Sequence, residues 1–289
     1  MTTATVICDS VAPHGGRLTT LQLRFPRFIL SQFNTYGSIA KNARSSRAVP
    51  TEKIIAEVED DPVMPARWGK RAKGMVASNL IDYGSVDWCE GNWLAARKIA
   101  VQHAKAFVEI GVAKEIVNRL LEPWMWVDVV ATATHGAWGH YLNQRTAHDT
   151  QPEHQELARA IGIAIRDGVP RKAGYWQWHL PYVTDDEYGG IEWDDLDAIH
   201  GRWLPASVRR VRRVSYSPFD GRPETPESDK AKHDESLNAG HWSCFEHQGE
   251  PSAHADRRSG RMTGWIEYRQ RFNGQVRPDF DYGSLCQKD

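Results

Sequence analysis

The 289-residue chain contains no G-x-S-x-G, no G-x-x-x-x-G-K-[ST] and no G-x-G-x-x-G, so the serine-hydrolase elbow, the P-loop and the standard dinucleotide fold all lack their signatures. It has four cysteines, Cys8, Cys89, Cys244 and Cys286, far apart and without a C-x-x-C pair. That spacing argues against a zinc module and against a dense disulfide framework, and it suits a reducing cytoplasm. No stretch approaches the ~18 to 20 apolar residues of a membrane helix, and the start of the chain lacks the basic and apolar regions of a signal peptide, so a soluble protein is expected. A charge excess of either sign is also missing: 36 basic against 37 acidic residues give a net charge of -1. A sequence-independent grip on nucleic acid is therefore not expected, and any phosphate bound is expected on a small molecule. His241, Glu246 and His247 come nearest to a metal set, but adjacent side chains diverge and no further ligand has suitable spacing, so no metal site is expected.

What is abundant is apolar and aromatic surface. Hydrophobic residues make up 40% of the chain, enough for a real core, and there are twelve tryptophans. Some of those large rings are expected to line a planar-ligand pocket or a subunit interface. Residues 3–9 and 18–24 have strand character, and His14-Gly15-Gly16 between them reads as a turn, so the chain should open with a β-hairpin. Thr51 to Val58 fits a short strand or helix. Trp93 to Leu121 lacks proline and has helical apolar spacing, which predicts one long helix or two helices broken near Gly111. Further helices are predicted from Trp124 to Asn143, where Gly136 and Gly139 would allow close backbone approach, and from Pro152 to Asp167. Beyond Gly168 a loop region is expected. SVRRVRRVSY then suits a strand with a basic face or a helix ending in one, and Pro218 to Lys232 a mobile loop or the start of a helix. Neither an internal repeat nor a linker is evident, which predicts one domain over 1–289, an α/β (α+β) fold with a mixed sheet and a largely helical middle.

The stretch from Phe25 to Pro50 holds the densest set of candidate ligand groups. After apolar Phe28-Ile29-Leu30 come Gln32, Asn34, Asn42, Arg44, Ser45, Ser46 and Arg47 within some twenty residues. Such donors must be satisfied if buried, and two readings stand open: a strand followed by a solvated segment, or a cradle for an anionic, planar ligand. Three arginine-bearing clusters stand out along the chain: Arg44 with Arg47, Arg119, and Arg145. Guanidinium is suited to bidentate phosphate contact and to stabilising charge that develops on a base carbonyl. Each cluster alone equally suits a surface ion pair.

These blocks resemble the flavin-dependent thymidylate synthase family, in the motif order of some phage-encoded relatives. The family signature QxxRHRxxSxNExSxRY is matched from Gln32 to Arg47, with Gln32, Asn42, Ser45 and Arg47 in register. Thr134 to Gln155 resembles the family's following helix and AQxEI segment, with Arg145, Gln151 and Glu153 in place, and Arg119 resembles the arginine of ARxxLP. An ARVSY strand is matched by Arg213-Val214-Ser215-Tyr216, and HxSPFEH by His241, Ser243, Phe245, Glu246 and His247. Both follow the signature here instead of preceding it, as in a circular permutation.

The resemblance implies a single permuted domain that transfers a one-carbon unit from methylenetetrahydrofolate to C5 of a pyrimidine deoxynucleotide monophosphate, dUMP to dTMP, with FAD as redox cofactor and NADPH as reductant. It implies nucleotide contacts from Gln32, Ser45, Ser46, Arg47, Arg119 and Arg145, with Arg145 polarising the base. It also implies flavin and folate contacts from Tyr36, Asn42, Ser215, His241, Ser243 and Glu246, in sites shared within a homotetramer. The sequence departs from the family where it has Thr35-Tyr36-Gly37 for RHR, Ala40 for the serine and Ala43 for the glutamate. Those changes keep open a cytosine base, a hydroxymethylase that modifies dCMP or dUMP for phage DNA, and a non-catalytic nucleotide-binding relative.

Overall fold

A computed structural model describes residues 1–73, 79–215 and 224–272. Its centre is a five-stranded mixed sheet in the order β3-β4-β2-β1-β5, made of β1 (Thr3–Val11), β2 (Arg17–Pro26), β3 (Ala40–Ala43), β4 (Trp126–Thr134) and β5 (Arg171–Lys172). The opening hairpin is as expected: β1 and β2 pair antiparallel with Thr5 opposite Gln22, and Gly15 at the turn takes a φ of 86°. A side chain would be strained there. The α/β class expected from the sequence is borne out by this mixed sheet and the helices packed on it.

The predicted helix from Trp124 to Asn143 is wrong over its first half. Trp126–Thr134 is instead the strand β4, paired with β2 on one side and β3 on the other, and α5 begins only at His135 (His135–Arg145). The physical reason is in the run WVDVVATAT, whose β-branched Val127, Val129, Val130, Thr132 and Thr134 favour a pleated surface buried on both faces. Gly136 and Gly139 do not permit close approach either, since a Cβ at either position would meet nothing within 4 Å.

The remaining elements follow the sequence more closely. After α1 (Leu30–Asn34) come α2 (Thr51–Asp60), α3 (Tyr83–Ile110), which stops where Gly111 turns left-handed, and α4 (Lys114–Val117). The helix α6 (Pro152–Asp167) has the predicted bounds. The region beyond Gly168 carries short helices as well as loop, namely α7 (Asp185–Gly189) and α8 (Leu196–Ala198). SVRRVRRV lies in the helix α9 (Leu204–Arg213), because Leu204, Val208 and Val211 fall on one buried face at helical spacing. The expected ARVSY strand is therefore a helix end at Arg213 to Ser215, and Tyr216 lies outside the described residues. From the Pro218–Lys232 stretch, α10 (Pro226–Asn238) is helical, while 218–223 are not described. Cys8, Cys89 and Cys244 are free thiols, and Cys286 is not described. Among the described residues no helix is long and apolar enough to cross a membrane.

Alternation along the strands divides the core into layers. Leu21, Leu23 and Phe25 of β2, with Val127, Val129 and Ala131 of β4, pack on Phe33, Trp138, Tyr141, Leu157 and Ile161 from α1, α5 and α6. The other face meets the segment beyond Gly168, with Val130 against Trp178, Leu180, Val208, Val211 and Phe245. A third cluster joins α2 and α3 through Ile54, Val58, Val101, Ala104, Leu121 and Trp124.

Arg44 anchors α2 to the end of β3. Its guanidinium donates to both oxygens of Glu57 at 2.8 Å and lies 3.7 Å from Asp128, with only 8% of its side chain exposed. Removing Glu57 leaves the buried guanidinium only the more distant Asp128, which costs more than the pair contributes. Glu57→Ala should destabilise the protein by about 2–3 kcal/mol. The double variant Glu57→Ala/Arg44→Met should recover most of that loss in urea unfolding, and equal losses in the two variants would contradict this account.

Candidate functional site

The signature stretch does not stay together in space. Its two ends, Gln32 and Ser46, reach one surrounding, and Asn42 on β3 between them reaches another.

One surrounding is a cavity of about 540 Å³. Its apolar walls come from Phe28, Pro65, Trp93 and Pro123, and its polar groups are Arg27, Arg119, Glu122, Gln151 and Glu153. Arg27 and Arg119 both reach Glu122, at 3.0 and 2.6 Å. The Ser46 hydroxyl donates to the same carboxylate at 3.2 Å and accepts from Arg27 at 3.3 Å. Asn118 fixes the Ser46 backbone by donating to its carbonyl at 2.6 Å. Gln32, on α1, donates to Gln151 at 2.8 Å. Thus Arg119 lines the cavity, and Ser46 and Gln32 each bond a residue that does.

Ser45, Arg47 and Arg145 do not line it. The Ser45 N–H donates to the Ser215 carbonyl at 2.8 Å. The Arg47 side chain is 69% exposed and 3.7 Å from Glu115. Arg145 donates from Nε to the Tyr36 hydroxyl at 2.5 Å and lies over the Tyr36 ring, and that hydroxyl donates to Gln144 at 2.9 Å. Tyr36 is buried against Tyr141, with ring centres 4.9 Å apart. A residue that the resemblance assigns to the cofactor is thereby the partner of the arginine assigned to the base.

The second surrounding lies where β3 meets α9 and the turn Trp242–Phe245. Ser243 donates to Asn42 at 2.8 Å, and Asn42 donates to the Val211 carbonyl at 3.1 Å. Glu246 is buried between Arg261, at 2.6 Å, and Arg269. Lys41 is pushed down to about 8 by burial and by the nearby Arg261, with Glu246 acting the other way. His241 is exposed, whereas His247 is fully buried with Nδ1 2.8 Å from Thr132. Asn42 and Ser243 therefore meet, whereas Ser215 reaches the signature stretch only through its carbonyl, at Ser45.

Whether the cofactor set fits FAD turns on what its polar atoms already do. Tyr36 lies apart from Asn42, the Asn42 and Ser243 side chains satisfy each other, and Glu246 is closed by two arginines. Within one chain these residues do not form an open flavin cradle.

Sequence reasoning missed Arg27, Phe28, Trp93 and Glu122 as lining residues. A signal was present for one of them: Arg27 is the lone cation inside the apolar run FPRFIL. Trp93 sits at the start of the predicted helix, where nothing in the pattern separates a core ring from a pocket wall.

No family model matches the chain, and no curated protein does. Solved structures similar to it include the UMP/dUMP methylase PolB from Streptomyces cacaoi. Bound with 5-Br dUMP it aligns at TM-score 0.43 and 17% identity, over 52% of this chain and 66% of that one, just under two thirds of its length. Bound with 5-Br UMP it aligns at 0.46 and 16% identity, over 57% and 88%. The flavin-dependent thymidylate synthase ThyX from Helicobacter pylori, complexed with FAD and dUMP, aligns at 0.38 and 12% identity, over 51% and 67%.

Proposed function

We propose that the chain binds a pyrimidine nucleoside monophosphate in the cavity between the turns Arg27–Ile29 and Asn118–Trp124, α3 and the start of α6, and transfers a one-carbon unit to C5 of its base. One observation carries the reading: Arg119 and Gln151, from two separate motif blocks, line a single cavity with aromatic walls, and Gln32 and Ser46 of the signature block each bond a residue that lines it. Phe28 and Trp93 offer flat apolar surface to a base. Arg27 and Arg119 offer guanidinium donors to a phosphate.

The lining is formally balanced, two arginines against Glu122 and Glu153. Phosphate affinity must then come from directed N–H groups and not from a broad positive potential. Glu122 holds both guanidiniums in place before the ligand arrives, which reduces the ordering cost of binding but competes with the phosphate for the same donors, and the competition outweighs the ordering gain. Methylenetetrahydrofolate as donor, with FAD and NADPH as redox partners, follows from the motif resemblance. Because the Asn42, Ser243 and Glu246 side chains are already satisfied within one chain, any flavin site would have to be completed by groups from a neighbouring chain of a homotetramer.

The test is titration of the purified protein with dUMP, followed by tryptophan fluorescence. Trp93 is partly exposed at the wall, so binding should quench emission, and Trp93→Leu should remove most of that change. Incubation with methylenetetrahydrofolate, FAD and NADPH should then add a methyl group to the nucleotide by mass. A hydroxymethyl product would replace the methyl reading with the hydroxymethylase one, and absence of nucleotide binding would sink both.

A further inference from the structure

Gln151 stands at the wall of the cavity with one end of its amide already fixed. Its Oε1 accepts from Gln32 Nε2 at 2.8 Å, and Gln32 Oε1 lies 3.2 Å from Nδ1 of His154. His154 is fully buried, and its Nε2 has no hydrogen-bond partner. That orphaned nitrogen decides the direction of the whole relay. A proton on Nε2 would bury an unsatisfied N–H, whereas a proton on Nδ1 donates to Gln32 and leaves only a bare lone pair. With Nδ1 protonated, Gln32 must accept from His154 and donate to Gln151, so Gln151 accepts from Gln32 and keeps its own NH2 for the cavity. Burial and the nearby Arg145 lower His154 to about 4, so the ring is neutral near pH 7.

We infer that Gln151 is a base-reading residue, held as a hydrogen-bond donor by the His154–Gln32 relay, so that the cavity selects a base carbonyl over an exocyclic amino group. His154 and Gln32 are positioning residues in this scheme. The inference rests on the nucleotide reading above and extends it to the choice between uracil and cytosine. A cytosine that presented its N4 edge to Gln151 would set donor against donor, and its amino group would have to turn to the Glu122 or Glu153 carboxylate.

The full chain is titrated with dUMP, dCMP and deoxyribose 5-phosphate. The wild type should bind dUMP about tenfold or more tightly than dCMP. Gln151→Glu, which can only accept when ionised, should reverse that order; the added charge weakens all three ligands alike, so the dUMP-to-dCMP ratio, read against deoxyribose 5-phosphate, reports the change in base choice. His154→Phe frees the Gln32 amide to turn, and should bring the two nucleotides to near-equal affinity. Because replacing the buried His154 also perturbs folding, nitrogen-15 shifts of the wild-type imidazole provide a second measurement: Nδ1 should be protonated and Nε2 bare. Equal or tighter binding of dCMP by the wild type overturns the inference and leaves the nucleotide site standing, as does a proton on Nε2. Failure of all three ligands to bind overturns the nucleotide reading and this inference with it.

Discussion

Acidification from pH 7 to pH 5 is expected to unfold the protein well before its carboxylates titrate. Of the four buried imidazoles three are lowered furthest: His154 to about 4, and His179 and His247 to about 3, in each case chiefly by burial. In the unfolded chain all three take up protons near the ordinary histidine value, about 6.5. Because the folded values are depressed, this stability is fully present above about 6.5 and is lost as the pH falls from there toward 4. Three protons correspond to a slope of about 4 kcal/mol per pH unit, against a usual total stability of about 5–15 kcal/mol. Asp128 and Glu267, raised by burial, oppose the slope in part. Urea unfolding at pH 7, 6 and 5 measures it. His247→Gln should lower the slope by roughly a third, and a flat profile over this range would rule the explanation out.

The same histidines show how a polar seam is built into an apolar sheet. Thr20 of β2 and Thr132 of β4 share a hydrogen bond at 2.7 Å across the pairing strands. His179 Nε2 lies 2.7 Å from Thr20, and His247 Nδ1 lies 2.8 Å from Thr132. At its far end His179 Nδ1 meets Ser10 at 2.9 Å. The chain of contacts crosses the sheet and ties both later histidines to strands formed more than a hundred residues earlier. Protonating either imidazole would add a charge that no buried acid in this seam offsets, which is why the acid response should be cooperative.

Local pattern told most where it was periodic and unopposed. The hairpin of β1 and β2 and the bounds of α6 follow directly from alternation, turn residues and a first-turn proline. It failed at Trp126–Thr134 because a strand buried on both faces loses its period of two and reads like a buried helix, and only pairing with β2 and β3 distinguishes them. The candidate site was legible in part for a similar reason. Residue types and spacing marked Gln32, Ser46 and Arg119, but which face each side chain takes depends on tertiary contacts. Arg47 and Ser46 are adjacent, yet one is in solvent and the other is buried against Arg27 and Glu122. Arg145 was marked by its place in a motif, whereas its partner Tyr36 is set by the packing of α1 against α5.

Removal of both cavity guanidiniums should have the largest effect on ligand binding. Arg27→Met with Arg119→Met is expected to weaken dUMP binding by about 100-fold or more, since a hydrogen bond to a charged group contributes about 1.5–3 kcal/mol. Met keeps much of the stem packing of Arg27, whose side chain is only 13% exposed, so folding should survive. Glu122→Gln should act in the opposite direction. At present both arginines are partly spent on that carboxylate, and neutralising it returns them to an incoming phosphate, so dUMP should bind several-fold more tightly. Salt provides a further check, because the formally balanced lining predicts only a weak dependence of wild-type affinity on ionic strength and a steeper one in Glu122→Gln. Calorimetric titration of the wild type and both variants at two salt concentrations decides the matter. If the double arginine variant binds as the wild type does, the phosphate lies elsewhere, and the cavity is not the nucleotide site.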